Sequence, residues 1–166
     1  MICKENKEIG EKYDYIQHKS GLGVYVVPKK MSTSYAIFGT KFGSIDNRFV
    51  SDGKEIVLPD GIAHFLEHKM FEQEDGTDAF LRFAKTGANA NAYTTFERTC
   101  YRFSATSNFY ESLERLLDFV SHPFFTDATV QKEMGIIGQE IRMYDDNPAW
   151  QLYFGMLTGL YHANTV

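Results

Sequence analysis

The stretch Pro59-Asp60-Gly61-Ile62-Ala63-His64-Phe65-Leu66-Glu67-His68-Lys69-Met70-Phe71 decides how the chain is read, because two of its five histidines fall within one pentamer. Asp60 reads as an N-cap, and Ile62, Ala63, Phe65, Leu66 and Met70 place the segment in a helix running to about Phe71. On a helix, residues i and i+4 share a face, so His64 and His68 can reach one ion. Glu67 leans toward the same ion without having to bind it.

Those residue types suit one chemistry. Neutral imidazoles hold Zn²⁺ while leaving most of its charge in place, and that charge acidifies a water molecule toward a pKa of about 7. A neighbouring carboxylate can take the proton as the water attacks a carbonyl, and return it to the leaving amine. The competing reading is a solvated His/Glu face. The apolar flanks argue against it, since a buried His-Glu-His cluster is costly without a partner. A tetrahedral catalytic site wants a third protein ligand and leaves one position for water. Glu133 and Glu140, seven residues apart and so on nearly one helical face, are the candidates, with Glu72 a weaker rival. Spacing alone does not choose between Glu133 and Glu140.

Working outward, 166 residues suffice for one domain or part of a larger one. With 17 Lys+Arg against 22 Asp+Glu the net charge is −5, which argues against a general nucleic-acid binder. Cys3 and Cys100 form no CxxC and no disulfide framework, which reads as a reducing, cytoplasmic setting. Residues 1–12 are polar, and a flexible N-terminus with no apolar signal segment is expected there. No charge occurs from Asn147 onward, but the apolar part, Trp150 to Tyr161, is shorter than the roughly 20 residues of a membrane span.

Strands are expected at Tyr13–His18, Leu22–Pro28, Ser34–Phe42, Asn89–Thr95 and Arg98–Ala105, with 43–59 a loop. Further helices are expected over Thr77–Lys85, from Asn108 (capped with Glu111 as its box partner) to His122, from Thr126 to Tyr144, and from Pro148. Val130, Met134, Ile137, Ile141 and Tyr144 form the apolar stripe of the long helix. Strands, two helices, a strand pair and three helices make an α+β fold, an antiparallel or mixed sheet packed with helices.

The motif helix, the block Asn89-Ala90-Asn91-Ala92-Tyr93-Thr94 with Glu97-Arg98-Thr99-Cys100-Tyr101, and the block Lys132-Glu133-Met134-Gly135-Ile136-Ile137-Gly138-Gln139-Glu140-Ile141, continuing to Asp146-Asn147-Pro148, resemble the pitrilysin/insulinase metallopeptidases. Their HxxEH order is the inverzincin pattern. The similarity is strongest to bacterial members related to mitochondrial processing peptidase, and it covers the chain from about residue 20. The fold implied is the N-terminal portion of a pitrilysin-family α/β domain.

The resemblance implies zinc ligands at His64, His68 and Glu140, with Glu67 as general base and Glu133 supporting a ligand histidine from outside the metal. It also implies that Asn91, Ala92, Tyr93 and Thr94 form an edge strand that pairs with an extended peptide substrate. The alternative for that strand is core packing by Ala92 and Tyr93.

Family members continue into a second, similar domain that closes the substrate chamber. Residues 1–166 are therefore expected to be a single, incomplete N-terminal peptidase domain that needs a second homologous domain or a partner subunit. The activity implied is that of a zinc-dependent endopeptidase acting on extended peptides, with no nucleic acid or membrane as partner. The alternatives are a peptide-binding or assembly subunit without turnover and, more weakly, a structural zinc site. His18 reads as a surface strand residue, His122 as a helix-end histidine near Pro123, His162 as having no partner spacing, and Cys100 as a core residue.

Overall fold

The computed structural model describes residues 1–161, so His162 lies outside the described residues. Two compact units divide the chain at Ser32/Thr33.

The first unit is an antiparallel meander of β1 (Ile2–Asn6), β2 (Glu11–Gln17) and β3 (Gly23–Val26). Residues 1–12 thus carry β1 and the start of β2. The turn before β3 closes where the His18 amide donates to the Leu22 carbonyl at 2.8 Å and Gly21 takes φ of 92°. Tyr15 stacks obliquely on Tyr25 across the β2–β3 pair, with centroids 4.9 Å apart.

The second unit is built on a three-stranded antiparallel sheet in the order β4 (Ser34–Thr40), β8 (Thr99–Ala105), β7 (Asn89–Thr94). The central strand β8 buries Tyr101, Phe103 and Ala105 on one face, alternating as the pleat dictates. These residues pack with Ala79 and Phe83 of α2 (Ala79–Ala84) and with Leu116 and Phe119 of α3 (Phe109–Ser121). Phe83, Phe103 and Leu116 are at most 2% exposed, and full burial of such side chains contributes about 1.5–3 kcal/mol each. A buried polar knot fixes α3 to the end of α2. Ser112 Oγ donates to Thr86 Oγ1 at 2.8 Å and Asn108 Nδ2 donates to the Thr86 carbonyl at 3.1 Å.

The α+β architecture is as the residue pattern implies, and several local expectations are corrected. Residues 43–59 are not a loop throughout but hold a hairpin, β5 (Arg48–Ser51) and β6 (Lys54–Val57). Asp52 and Gly53 turn it with φ of 51° and 74°, the left-handed pair an Asp-Gly hairpin favours. Asp60 does not cap the motif helix α1 (Ile62–Lys69). Gly61 stands at its start with φ of 79°, and the Asp60 carboxylate accepts instead from Asn47 Nδ2 at 2.6 Å. The box at Asn108 also fails, because that residue is left-handed and its side chain is spent on Thr86.

The helix α4 (Asp127–Asp145) starts where expected. Thr126 caps it through a reciprocal bond pair with Thr129. Its expected apolar stripe is not core, however. Met134 and Ile141 are each 55% exposed, whereas Glu133 is the one residue of α4 buried among the described residues. Pro148 opens α5 (Pro148–Leu160) at its first turn, with Asn147 Oδ1 accepting from the Ala149 and Trp150 amides. Among the described residues no helix is long and apolar enough to cross a membrane.

Candidate metal centre

Helix α1 lies on β7 and β8 and meets α4 along its other side. Its sequence gives each function a face. Ala63 is 1% exposed, while the i, i+4 pair His64 and His68 turns toward α4. The two imidazoles stand nearly perpendicular, at 84°, with their Nε2 atoms 3.0 Å apart.

Glu140 reaches both rings. Its Oε1 lies 3.8 Å from His64 Nε2 and its Oε2 3.4 Å from His68 Nε2. Of the two carboxylates that spacing left level, Glu133 goes elsewhere. Its Oε1 sits 3.0 Å from His68 Nδ1, on the far side of the ring. The donor set that converges is therefore His64, His68 and Glu140. A Glu133 carboxylate accepting the His68 Nδ1–H leaves the Nε2 lone pair aimed at the other donors.

This donor set suits a divalent cation. Tetrahedral Zn²⁺ with bonds of about 2.0–2.1 Å separates its ligand atoms by about 3.3–3.4 Å. The observed separations of 3.0, 3.4 and 3.8 Å bracket that value. Two ring nitrogens and a carboxylate facing one another are electron-rich on all sides, and a cation relieves that crowding. Three protein donors also leave a fourth position open, as a catalytic site requires and a closed structural site does not.

Glu67 is 8% exposed and takes a different direction from its neighbours. Its Oε2 accepts from Thr94 Oγ1 at 2.8 Å, on the sheet side. Thr94 Oγ1 is in turn 3.3 Å from Thr99 Oγ1, which donates to the Phe42 carbonyl at 2.9 Å. Tyr101 lies nearby, where burial pushes its hydroxyl well up and the Glu67 carboxylate adds to the shift. On the opposite side Tyr144 OH donates to Glu140 Oε1 at 3.2 Å, one turn along α4. Burial first, and then that bond, raises the Tyr144 hydroxyl above its ordinary range.

The strand β7 is paired with β8 on one side only, and among the described residues it has no partner on the other. Asn91, Ala92, Tyr93 and Thr94 lie along it with alternating exposure. Ala92 packs on the core, and Tyr93 is 38% exposed. Glu67, His68, Asn91 and Ala92 line one cavity beside the edge. His64 and Thr94 open on the other side into an apolar groove of about 680 Å³ walled by Trp150, Tyr153 and Phe154.

Of the remaining candidates, Glu72 pairs with Lys69 and not with the imidazoles. His122 is bound to Asp118 at the end of α3, and His18 to Ser20 in a turn. Cys100 is buried on β8 beside Gly39, and Cys3 is exposed on β1. Residue types alone did not reveal the tie from Thr94 to Glu67, because those residues are 27 positions apart. The Glu140–Tyr144 bond carried an i, i+4 signal that the apolar reading of Tyr144 masked.

Comparison with known proteins bears on the family of the chain. An uncharacterized zinc protease of Bacillus subtilis, YmfH, is 56% identical over 98% of this chain, and the chain spans 38% of that relative. An uncharacterized zinc protease of Rickettsia bellii is 31% identical over 83% of this chain, which spans 33% of it. The crystal structure of an M16-like peptidase from Alicyclobacillus acidocaldarius superposes with a TM-score of 0.88 at 44% identity, covering 92% of this chain and 36% of that one. Pitrilysin itself shares the fold, with a TM-score of 0.65 at 19% identity over 84% of this chain and 15% of its own. The profile of the insulinase family, peptidase family M16, matches residues 55–164, and the chain belongs to that family.

Proposed function

We propose that the chain carries the catalytic zinc site of a metalloendopeptidase that cleaves extended peptides. The observation that carries this reading is the convergence of His64, His68 and Glu140 within ligand distance of one another, with Glu67 on the same helix. Zinc bound there supplies positive charge that makes water acidic and a peptide carbonyl electrophilic.

The protein's own residues do the rest. Glu133 holds the His68 ring through Nδ1, and Tyr144 steadies Glu140. Glu67, fixed at Oε2 by Thr94, takes the proton of the attacking water and delivers it to the leaving amine. Its low exposure keeps competing solvent away from that carboxylate.

The substrate lies along β7 as an added strand, with the backbone of Asn91 to Thr94 giving register and alternate side chains entering the flanking cavities. The groove walled by Trp150, Tyr153 and Phe154 fits a large apolar side chain. The relatives are longer than this chain, so a second domain or subunit is taken to close the chamber over the peptide. The reducing, cytoplasmic setting read from the cysteines belongs to the same proposal.

Glu67→Gln separates the roles. It is expected to leave zinc uptake intact and to abolish hydrolysis of an extended peptide in the full-length protein. Retained turnover in that variant would remove Glu67 as the base. Peptide binding without cleavage by the unaltered full-length protein would favour a recognition subunit instead.

A further inference from the structure

Directly after the second candidate ligand comes Lys69, whose side chain is 0% exposed. Four methylenes are easily buried, but a wholly buried ammonium is costly unless paired. Its partner is Glu72, with Nζ 2.9 Å from Oε2. Over it lies the Phe125 ring, with Nζ 5.9 Å from the centroid. Glu72 does not stop there, since its other oxygen, Oε1, lies 3.9 Å from Lys132 Nζ.

Phe125 immediately precedes the Thr126 cap of α4, and Lys132 immediately precedes Glu133. The buried lysine at the end of α1 is thus in contact with the start of α4 in two ways, through an aromatic face and through a bridging carboxylate. Neither contact uses the metal donors. Both fix how far α4 is rotated and advanced against α1, which decides whether Glu133 meets His68 and whether Glu140, two turns further on, meets both rings.

We infer that Lys69 is a positioning residue for the zinc site, acting through Glu72 and Phe125 to set the register of α4 before the metal arrives. The inference rests on the zinc reading above and concerns how the site is preorganised. A general stabilising role would lower metal affinity only as far as it lowers folding. A register role weakens the metal while the fold survives.

The experiment measures Zn²⁺ affinity by chelator competition on the protein, with the thermal midpoint of the metal-free form and the visible spectrum of the Co²⁺-loaded form. Lys69→Met fills the same space without a charge, and the Glu72 carboxylate it leaves is not stranded, because Glu72 is 24% exposed and still faces Lys132. Its metal-free midpoint should stay close to that of the unaltered protein, its zinc affinity should fall about tenfold, and its Co²⁺ bands should shift. Adding Glu72→Gln to it also removes the Lys132 contact, so the double variant should lose a further factor like that of Lys132→Met alone.

Leu116→Ala, which damages the core at α3 and removes none of the Lys69, Glu72 and Phe125 contacts, should lower the midpoint and leave zinc affinity within about twofold. Lys132→Met, at a position 65% exposed, keeps the test alive if Lys69→Met does not fold, and should weaken zinc about threefold. Unchanged affinity and an unchanged Co²⁺ spectrum in Lys69→Met and Lys132→Met overturn the inference while leaving the zinc reading intact. No zinc uptake by the unaltered protein overturns both.

Discussion

Thr94 Oγ1 donates to Glu67 Oε2 at 2.8 Å. The threonine stands at the end of the edge strand, so one side chain links the surface that would receive a peptide to the carboxylate that would act on it. A hydrogen bond to a charged group contributes roughly 1.5–3 kcal/mol. Thr94→Val keeps the shape and removes the donor. It is expected to lower kcat about tenfold with zinc content unchanged, and Thr94→Ser should restore most of it. Steady-state kinetics on the full-length protein checks this; a Thr94→Val enzyme with unaltered kcat would show that Glu67 orients itself without help.

Glu133 makes a second, separable prediction. It touches His68 Nδ1 at 3.0 Å and is 9% exposed, away from the atoms that converge on the metal position. Glu133→Ala should therefore reduce zinc affinity without destroying the donor set, by roughly 10–100-fold. Removal of Glu140, the proposed ligand, should cost more. Equal losses in the two variants, read by competition with a zinc chelator, would contradict the distinction.

The loop leading to the β5–β6 hairpin is set by one close approach. A Cβ at Gly43 would collide with the backbone of Phe96, Glu97 and Arg98, which cannot move aside as a side chain tip does. The same segment is bonded through Ser44 N to the Thr95 carbonyl at 3.1 Å. Gly43→Ala is expected to destabilise the protein by about 2 kcal/mol or more. A denaturant titration giving a midpoint equal to the parent's would refute it.

Much of this architecture can be read in the residues, and the failures have physical causes. The pair His64/His68 and the acids Glu133 and Glu140 are visible because helical spacing is a rigid ruler. The choice between the two acids is not, because it depends on how α4 is advanced against α1, a tertiary quantity. The hairpin over Arg48–Val57 was hidden by its polar composition, although Asp52-Gly53 carried the turn signal. Asp60 and Asn108 looked like caps, but each finds a better partner outside its helix, Asn47 and Thr86. Exposed Met134 and Ile141 show the limit of periodicity, which identifies an apolar face without saying what covers it.

One acid gives a pH prediction. Thr77, through its hydroxyl and amide, and then Arg82 hold the Asp75 carboxyl down from 3.8 to about 2. A carboxylate depressed on folding adds stability that is fully present above the ordinary carboxylate range and is lost as pH falls through its folded value. The contribution of Asp75 to the turn before α2 should thus fade between about pH 4 and pH 2. A ¹³C NMR titration should find its midpoint near the low end, and Thr77→Ala should move it up. A midpoint unaffected by Thr77→Ala would refute the assignment.

Two imidazoles and one carboxylate, distant in sequence and adjacent in space, are proposed to hold a single zinc ion. Anomalous diffraction at the zinc edge, on crystals grown with stoichiometric zinc, tests it most directly. The expected result is one peak about 2.0–2.2 Å from His64 Nε2, His68 Nε2 and a Glu140 oxygen, with Glu133 outside the coordination sphere. A peak bound by Glu133 in place of Glu140, or no peak between the two histidines, would contradict it.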